Sequence, residues 1–273
     1  MRAWVNGSLF DDARAAALPV TDHGLTVGDA VFETVKVVDG EPFALTRHLT
    51  RLANSAKGIG LGAPDEQRVR RAVRDVLGDS DAALQKVRIT YTAGDGPMGS
   101  GRGTGAPTLV VVADELEPPA AEVRVVTVPW VRNERGALAG LKTTSYAENV
   151  VALAFAAEHG ASEALFANTR GTLCEGTGSN VFYVVDGELR TPSLGSGCLA
   201  GVSRALVLEW CGGREVDEPF EVLRRCEEMF LAGTTRDVQP VSAIDDRALP
   251  TPGPVTARCM EVWAARAAGT ADP

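Results

Sequence analysis

Lysine is scarce in this chain of 273 residues. Of its 27 lysine and arginine side chains, only four are lysines. One of these, Lys142, lies in the stretch GLKTTSYAEN, after an apolar leucine and before a run of hydroxyl side chains. A guanidinium stays protonated, whereas an amine can lose its proton and act as a nucleophile. Lys142 is therefore a candidate for chemistry that the abundant arginines cannot perform.

Cysteine and histidine are also few, at five and three residues. The cysteines are odd in number, lie far apart and form no CxxC pair, which argues against a disulfide framework or a zinc site. The histidines are equally dispersed, so a metal centre is not expected. Reduced thiols are typical of cytoplasmic proteins, and we expect this location.

Long apolar runs are missing. The longest covers residues 150–157, far short of a bilayer span, and the opening MRAWVNGSLFDDARA has no apolar run typical of a signal peptide. A net charge of −9 argues against nucleic acid or an anionic membrane as a partner. An anionic ligand would need a local cluster of donors.

Periodicity predicts both strands and helices. Alternating or β-branched stretches predict strands at residues 3–5, 31–38, 86–92, 108–112, 123–128, 163–167, 180–185 and 188–191. Amphipathic stretches predict helices after a cap at Thr46 and at residues 66–77, 146–159, 201–210, 221–228 and 255–268.

Paired prolines lie within the segment 117–122, which we interpret as a linker. The sequence therefore predicts an α+β fold of two lobes. The N-terminal lobe covers residues 1–116, and the C-terminal lobe covers residues 123–273 and carries Lys142.

A glycine-rich stretch, AGDGPMGSGRGTG, follows the strand predicted at 86–92 and contains the pattern GxGxxG. A dinucleotide site needs a helix directly after this pattern, and none is predicted here. We interpret the stretch as a loop over a site, with Arg102 as a candidate for binding an anion.

Three further motifs contain groups that could bind a ligand, namely a carboxylate and two sets of backbone amides and hydroxyls. LCEGTGSNVF places the carboxylate of Glu175 at the edge of a strand. Two others offer backbone amides and hydroxyls: Val202 and Ser203 in GCLAGVSRALVLEW, and Gly233, Thr234 and Thr235 in LAGTTRDVQP. Pyridoxal 5'-phosphate requires an amine for imine formation, an acid at its ring nitrogen and donors for its phosphate. Together with Lys142, these motifs match that cofactor.

From DHGLTVGDAVFETV to GTTRDVQPV, the chain resembles the class IV aminotransferases, the fold type IV pyridoxal phosphate enzymes. The resemblance implies that Lys142 is the Schiff-base lysine, that Arg51 binds the phosphate and that Glu175 faces the pyridine nitrogen. It further implies cofactor contacts from Leu199, Val202, Ser203, Gly233, Thr234 and Thr235. Tyr146, a candidate for binding the substrate, is a looser match to a tyrosine that follows the lysine in some members of the family. The family fold implies two α+β lobes with the cofactor between them, in a homodimer.

Within this family, the compact length and the opening DHGLTVGDAVFET resemble 4-amino-4-deoxychorismate lyase, which releases pyruvate to give 4-aminobenzoate for folate. The RxH pair of D-amino-acid aminotransferases is missing after residue 92. We expect the lyase. The alternatives are a transaminase for D-amino acids, branched-chain amino acids or amines, and a non-catalytic binder of a phosphate ligand. The candidates for binding substrate carboxylates are Arg102, Arg170 and Arg236.

Overall fold

The computed structural model describes all 273 residues, which divide into two units. The first comprises Met1–Pro118, Leu141–Ser145 and Ala271–Pro273, and the second comprises Pro119–Gly140 and Tyr146–Thr270. The chain first passes from one unit to the other between Pro118 and Pro119, and it does so again after Gly140, Ser145 and Thr270. Lys142, however, belongs to the first unit and not to the C-terminal lobe, because its segment pairs with a strand of the first unit.

A six-stranded antiparallel sheet and two long helices form the first unit. Its strands pair in the order β2-β1-β6-β5-β3-β4. The elements are β1 Arg2–Val5, β2 Ser8–Phe10, α1 His23–Thr26, β3 Ala30–Val38, β4 Glu41–Pro42, α2 Leu45–Gly58, α3 Glu66–Leu77, β5 Leu84–Thr92 and β6 Thr108–Glu115. Val31 and Val35 of β3 pack with Leu49 and Leu52 of α2 in a common core. Each fully buried aliphatic side chain stabilises the folded state by about 1.5–3 kcal/mol relative to leaving that side chain exposed.

The start of α2 differs from the prediction. The helix begins at Leu45, after Ala44 in the left-handed conformation, so Thr46 is not its cap. Instead, Asp272 accepts a hydrogen bond from the Thr46 N–H at 2.9 Å. The capping acceptor comes from the other end of the chain. In contrast, α3 has the predicted bounds, and Asp65 caps it through the amides of its first turn.

A mixed sheet forms the second unit. Its main path has the order β12-β11-β10-β13-β14-β7-β8-β9, and β15 pairs with β14. The elements are β7 Val123–Arg132, α4 Ala147–Glu158, β8 Glu163–Asn168, β9 Leu173–Gly176, β10 Asn180–Val185, β11 Glu188–Pro192, α5 Val202–Cys211, β12 Arg214–Val216, β13 Glu228–Gly233, β14 Asp237–Ile244, β15 Arg247–Ala248 and α6 Pro254–Gly269. None of the helices in either unit has the length and apolar character that a bilayer span requires.

The prediction of a helix at residues 221–228 is wrong. A short 3-10 turn, Phe220–Arg224, is followed by β13, which starts at Glu228. The run Met229–Ala232 is fully buried and pairs antiparallel with β10. Glu228 accepts hydrogen bonds from the Val255 and Thr256 amides and so caps the start of α6. Sheet pairing on both sides of β13 overrides the local helical pattern.

Candidate active site

The main chain around Lys142 is fixed on two sides. Phe32 donates its N–H to the Lys142 carbonyl at 3.0 Å, and Thr144 donates to the Ala30 carbonyl at 2.9 Å. These bonds pair the segment with β3. The Lys142 N–H donates to the Ser55 hydroxyl on α2 at 3.1 Å. Its Nζ lies 4.4 Å from the centre of the Phe32 ring, within the range of a cation–π interaction.

A second cation contacts the same aromatic ring. The Arg88 guanidinium carbon lies 3.9 Å from the Phe32 ring centre. Because β3 and β5 pair Thr34 with Arg88, Phe32 and Arg88 share one face of the sheet. Arg88 was not predicted as a site residue. The sequence places it between the apolar residues Val87 and Ile89, which are buried, and this alternation could have indicated that Arg88 lies on the opposite face of the strand.

Arg51 lies on α2 and makes a two-pronged contact with Glu33 of β3. Its Nε donates to Oε1 at 2.7 Å and its Nη2 donates to Oε2 at 2.6 Å. The His48 Nδ1 lies 2.7 Å from Oε2, and it must carry hydrogen because an ionised carboxylate only accepts. Glu33 is fully buried. It accepts two of the five guanidinium donors of Arg51.

The ionisation states in this group follow from its partners. Burial by itself would raise the pKa of Glu33, but the Arg51 charge and the hydrogen bonds from Arg51 and His48 lower it to about 2. Burial lowers the pKa of His48 despite the opposing effect of Glu33, and the Arg51 and Lys142 charges lower this pKa further. Near neutral pH the group is thus an ion pair with a neutral imidazole donor.

In the second unit, Glu175 lies on β9 and is mostly buried. Its Oε2 accepts the Leu199 N–H at 2.9 Å, and the Leu199 carbonyl accepts from the Asn180 amide at 2.9 Å. These two bonds hold the loop before α5 against β9 and β10. The Arg132 Nε lies 3.6 Å from Glu175 Oε1, with its guanidinium over the Phe166 ring. Arg132 was not predicted, and it adds positive charge beside the carboxylate.

The start of α5 presents backbone donors. Its N-cap is Gly201, and no side chain caps the first turn, where Val202 and Ser203 are buried. A Cβ at Gly201 would collide with the Asn180 side chain, so glycine is required there. Uncapped amides at a helix start favour an anion.

A second set of donors lies at the turn between β13 and β14. Gly233 pairs with Asp237, and Thr234 and Thr235 lie between them. All four residues are half-buried.

The predicted anion-binding residue Arg102 already has partners. Its Nε and Nη2 donate to the two Asp29 oxygens at 2.6 Å each, and it also binds the Ile59 and Gly60 carbonyls. The glycine-rich stretch is a loop between β5 and β6. At Gly94 the backbone has positive φ, and a Cβ there would collide with the Ala106 carbonyl. The glycine pattern thus serves the packing of the loop.

The other two candidate arginines are paired as well. Arg170 donates to the Gly195 carbonyl at 2.5 Å and lies 3.7 Å from Glu134. Arg236 donates to Gln239 at 2.5 Å and lies 3.5 Å from the buried Glu163. A substrate carboxylate would have to displace these acceptors. Tyr146 is the half-buried residue before α4.

The donor chemistry of the two units fits pyridoxal phosphate. The first supplies an amine at Lys142 and a cation at Arg51. The second supplies a carboxylate at Glu175, an uncapped helix start and the hydroxyls of Thr234 and Thr235. These are the groups that the aldehyde, the ring nitrogen and the phosphate of this cofactor require.

Comparison with known proteins gives consistent matches over nearly the whole chain. The family model described as amino-transferase class IV matches residues 30–244. A Methanocaldococcus jannaschii protein, provisionally named a branched-chain-amino-acid aminotransferase, is 32% identical over 259 residues, covering 91% of this chain and 90% of its own. The fold IV transaminase CpuTA1 of Curtobacterium pusillum has a TM-score of 0.82 and 34% identity, covering 95% of this chain and 93% of its own. The pyridoxal-phosphate-bound form of a hypothetical aminotransferase of Mycobacterium tuberculosis has a TM-score of 0.86 and 26% identity, covering 97% and 98%.

The Glu33 group makes a prediction about acid stability. A carboxyl whose folded pKa is about 2 contributes stability above its ordinary pKa, and this stability is lost as the pH falls towards 2. His48 has a lowered pKa, so the folded protein likewise loses stability as the pH falls below the ordinary pKa of histidine. Replacing Glu33 with Gln should therefore flatten the fall in the free energy of unfolding between about pH 5 and pH 2.

Urea denaturation at a series of pH values measures this free energy. Glu66→Gln is the matched control, since Glu66 forms an exposed ion pair with Arg70 and should leave the slope nearly unchanged. Parallel pH profiles for wild type and Glu33→Gln would contradict the assigned ionisation.

Proposed function

The chain belongs to the amino-transferase class IV family, and we propose on that basis that it transfers an amino group between an amino acid and a 2-oxo acid. Enzymes of this family use pyridoxal phosphate, which is present in a matched structure. The fold is the one shared by the matched transaminases.

The pairing of the candidate arginines is the observation that supports transamination over the predicted lyase reaction. A chorismate-derived substrate carries two carboxylates, and Arg102, Arg170 and Arg236 were the candidates for binding them. Each of the three donates to acceptors within its own unit. An amino acid or a simple 2-oxo acid needs one cation at its carboxylate, and Arg88 lies on the ring that also contacts Lys142. The lyase reaction stays a prediction.

The residue roles follow from chemistry. When bound, pyridoxal phosphate supplies an aldehyde that exchanges between amines and a ring that accepts electron density. We propose that Lys142 would hold the aldehyde through its amine, and that the same amine, when free, would move a proton at the substrate carbon. Glu175, whose carboxylate accepts the Leu199 N–H, would keep a proton at the ring nitrogen. From the resemblance to the family, the residues proposed to bind the phosphate are Arg51, Val202, Ser203, Gly233, Thr234 and Thr235.

A homodimer is part of the proposal. The resemblance implies one, and α4 supports it with three exposed aliphatic side chains, Val150, Val151 and Leu153, exposed by 64%, 53% and 44%. Such a patch is unusual on a monomer surface and is typical of an interface. Light scattering at micromolar concentration should give twice the mass of one chain, and the mass of a single chain would contradict the dimer.

Dependence on an amino acceptor tests the reaction. Purified enzyme loaded with cofactor is given L-leucine, D-alanine or a chiral amine, with and without 2-oxoglutarate. We expect glutamate from at least one donor, and only when 2-oxoglutarate is present. Lys142→Ala is the negative control. Release of pyruvate and 4-aminobenzoate from aminodeoxychorismate, with no transfer from any donor, would instead establish the lyase.

If Arg88 binds the substrate carboxylate, its replacement should change KM for substrates that carry a carboxylate and leave KM for other amines unchanged. Replacing Arg88 with Gln removes the cation beside Phe32, so KM for 2-oxoglutarate and for the amino acid should rise roughly tenfold or more, as expected for the loss of a charge-assisted hydrogen bond. An amine without a carboxylate should keep its KM. Arg71→Gln, on the exposed side of α3, is the control. An unchanged KM for every carboxylate substrate would exclude Arg88 from substrate binding.

A further inference from the structure

One face of β3 carries a single charged residue in an apolar row. Successive side chains of a strand point to opposite faces, so Val31, Glu33, Val35 and Val37 share one face. The three valines are fully buried in the core of the first unit. Glu33 is buried to the same extent, although an isolated carboxylate in such a place is strongly unfavourable.

Its compensation comes from one helix. His48 and Arg51 are three residues apart on α2 and therefore lie on the same side of that helix. Arg51 contributes the Nε and Nη2 edge of its guanidinium in two nearly equal hydrogen bonds, and His48 contributes its Nδ1–H to the same Oε2 that Nη2 binds. A two-pronged contact of this kind fixes the plane of the guanidinium as well as its position.

The arrangement is more than stability requires. A buried ion pair can often be replaced by apolar residues without loss of stability, and the neighbouring positions of β3 are valines. The same helix also carries Ser55, one turn beyond Arg51, which binds the main chain of Lys142. The group thus lies in the part of α2 that also positions the catalytic amine.

We propose that Glu33 and His48 are positioning residues that hold the Arg51 guanidinium in the orientation in which it binds the cofactor phosphate. This inference rests on the proposed function, in which Arg51 is a phosphate ligand. Glu33 accepts from the Nε and Nη2 edge of the guanidinium and thereby fixes the plane and position of that group. His48 completes the hydrogen bonding of Glu33 and keeps the carboxylate from turning.

The charge of Glu33 and its effect on the orientation of Arg51 change phosphate binding in opposite directions. The direction of the change in affinity when Glu33 is neutralised therefore tests the inference. The Glu33 charge opposes an incoming dianion, so if Glu33 only balanced charge, its neutralisation would strengthen phosphate binding. If it positions Arg51, neutralisation weakens phosphate binding. In Glu33→Gln the carboxamide has one accepting oxygen and one donating nitrogen. If the nitrogen takes the place of Oε1 it faces the Arg51 Nε–H, and if it takes the place of Oε2 it faces both Arg51 Nη2 and His48 Nδ1.

The experiment compares two ligands of Glu33→Gln that differ only in the phosphate. Dissociation constants for pyridoxal phosphate and for pyridoxal are measured by absorbance titration of the cofactor-free protein, together with its melting temperature. We expect the constant for pyridoxal phosphate to rise roughly tenfold and that for pyridoxal to stay unchanged. Equal weakening of both ligands would show a merely structural role, and tighter binding of pyridoxal phosphate would show charge balance only. Either outcome would overturn the inference.

Variants of the partner residues separate this inference from the proposed function. Arg51→Ala should lower the preference for the phosphorylated ligand, and Glu33→Gln should then have no further effect on it. If Arg51→Ala leaves the preference unchanged, the phosphate role of Arg51 is wrong. If Arg51→Ala lowers it and Glu33→Gln does not, only the positioning role is wrong.

A second variant covers the case in which Glu33→Gln does not fold. His48→Leu removes the donor to Glu33 Oε2, whereas the amide of His48→Asn can replace Nδ1–H. The preference should fall in the leucine variant and return in the asparagine variant. An equal preference in both variants would contradict the role of His48. Glu66→Gln, in its exposed ion pair, is the matched control for removing a carboxylate near an arginine.

Discussion

Backbone pairing between Leu141–Ser145 and β3 is the interaction on which the proposed chemistry depends. The pairing makes five residues from the middle of the chain part of the first unit. It places the Lys142 amine over Phe32, while Ser55 of α2 holds the Lys142 N–H. The next side chain of β3, Glu33, contacts Arg51 of that same helix. One strand and one helix therefore position both the Lys142 amine and the Arg51 guanidinium, the cation proposed to bind the phosphate.

Much of the fold could be predicted from local patterns, because strand alternation and helical periodicity are local properties. The bounds of α3 and the β10–β11 hairpin are examples. The errors arise where distant parts of the chain decide the structure. The start of α2 depends on Asp272, and the segment after residue 228 is a strand because β10 and β14 pair with it. No window of sequence around these positions contains that information.

The cofactor residues and the substrate residues differ in the same way. The cofactor requires an amine, an acid and amide-rich turns, and a sequence shows these residue types directly. Lys142 and Glu175 could therefore be proposed from motifs. The partners of Arg102 could not, because Asp29 lies 73 residues away. Glu33 could have been found, since it occupies a valine position in the alternation of VFETVKVV. The cytoplasmic location inferred from cysteine usage stays a prediction.

The most direct test of the central claim is to locate the covalent bond to the cofactor. The purified protein is treated with borohydride, which converts an imine into a stable amine, and is then digested and mapped by mass spectrometry. The account predicts a phosphopyridoxyl group on the peptide that contains Lys142, and on none that contains only Lys36, Lys57 or Lys86. A modification at one of these other lysines, or no modification in protein that contains the cofactor, would contradict it.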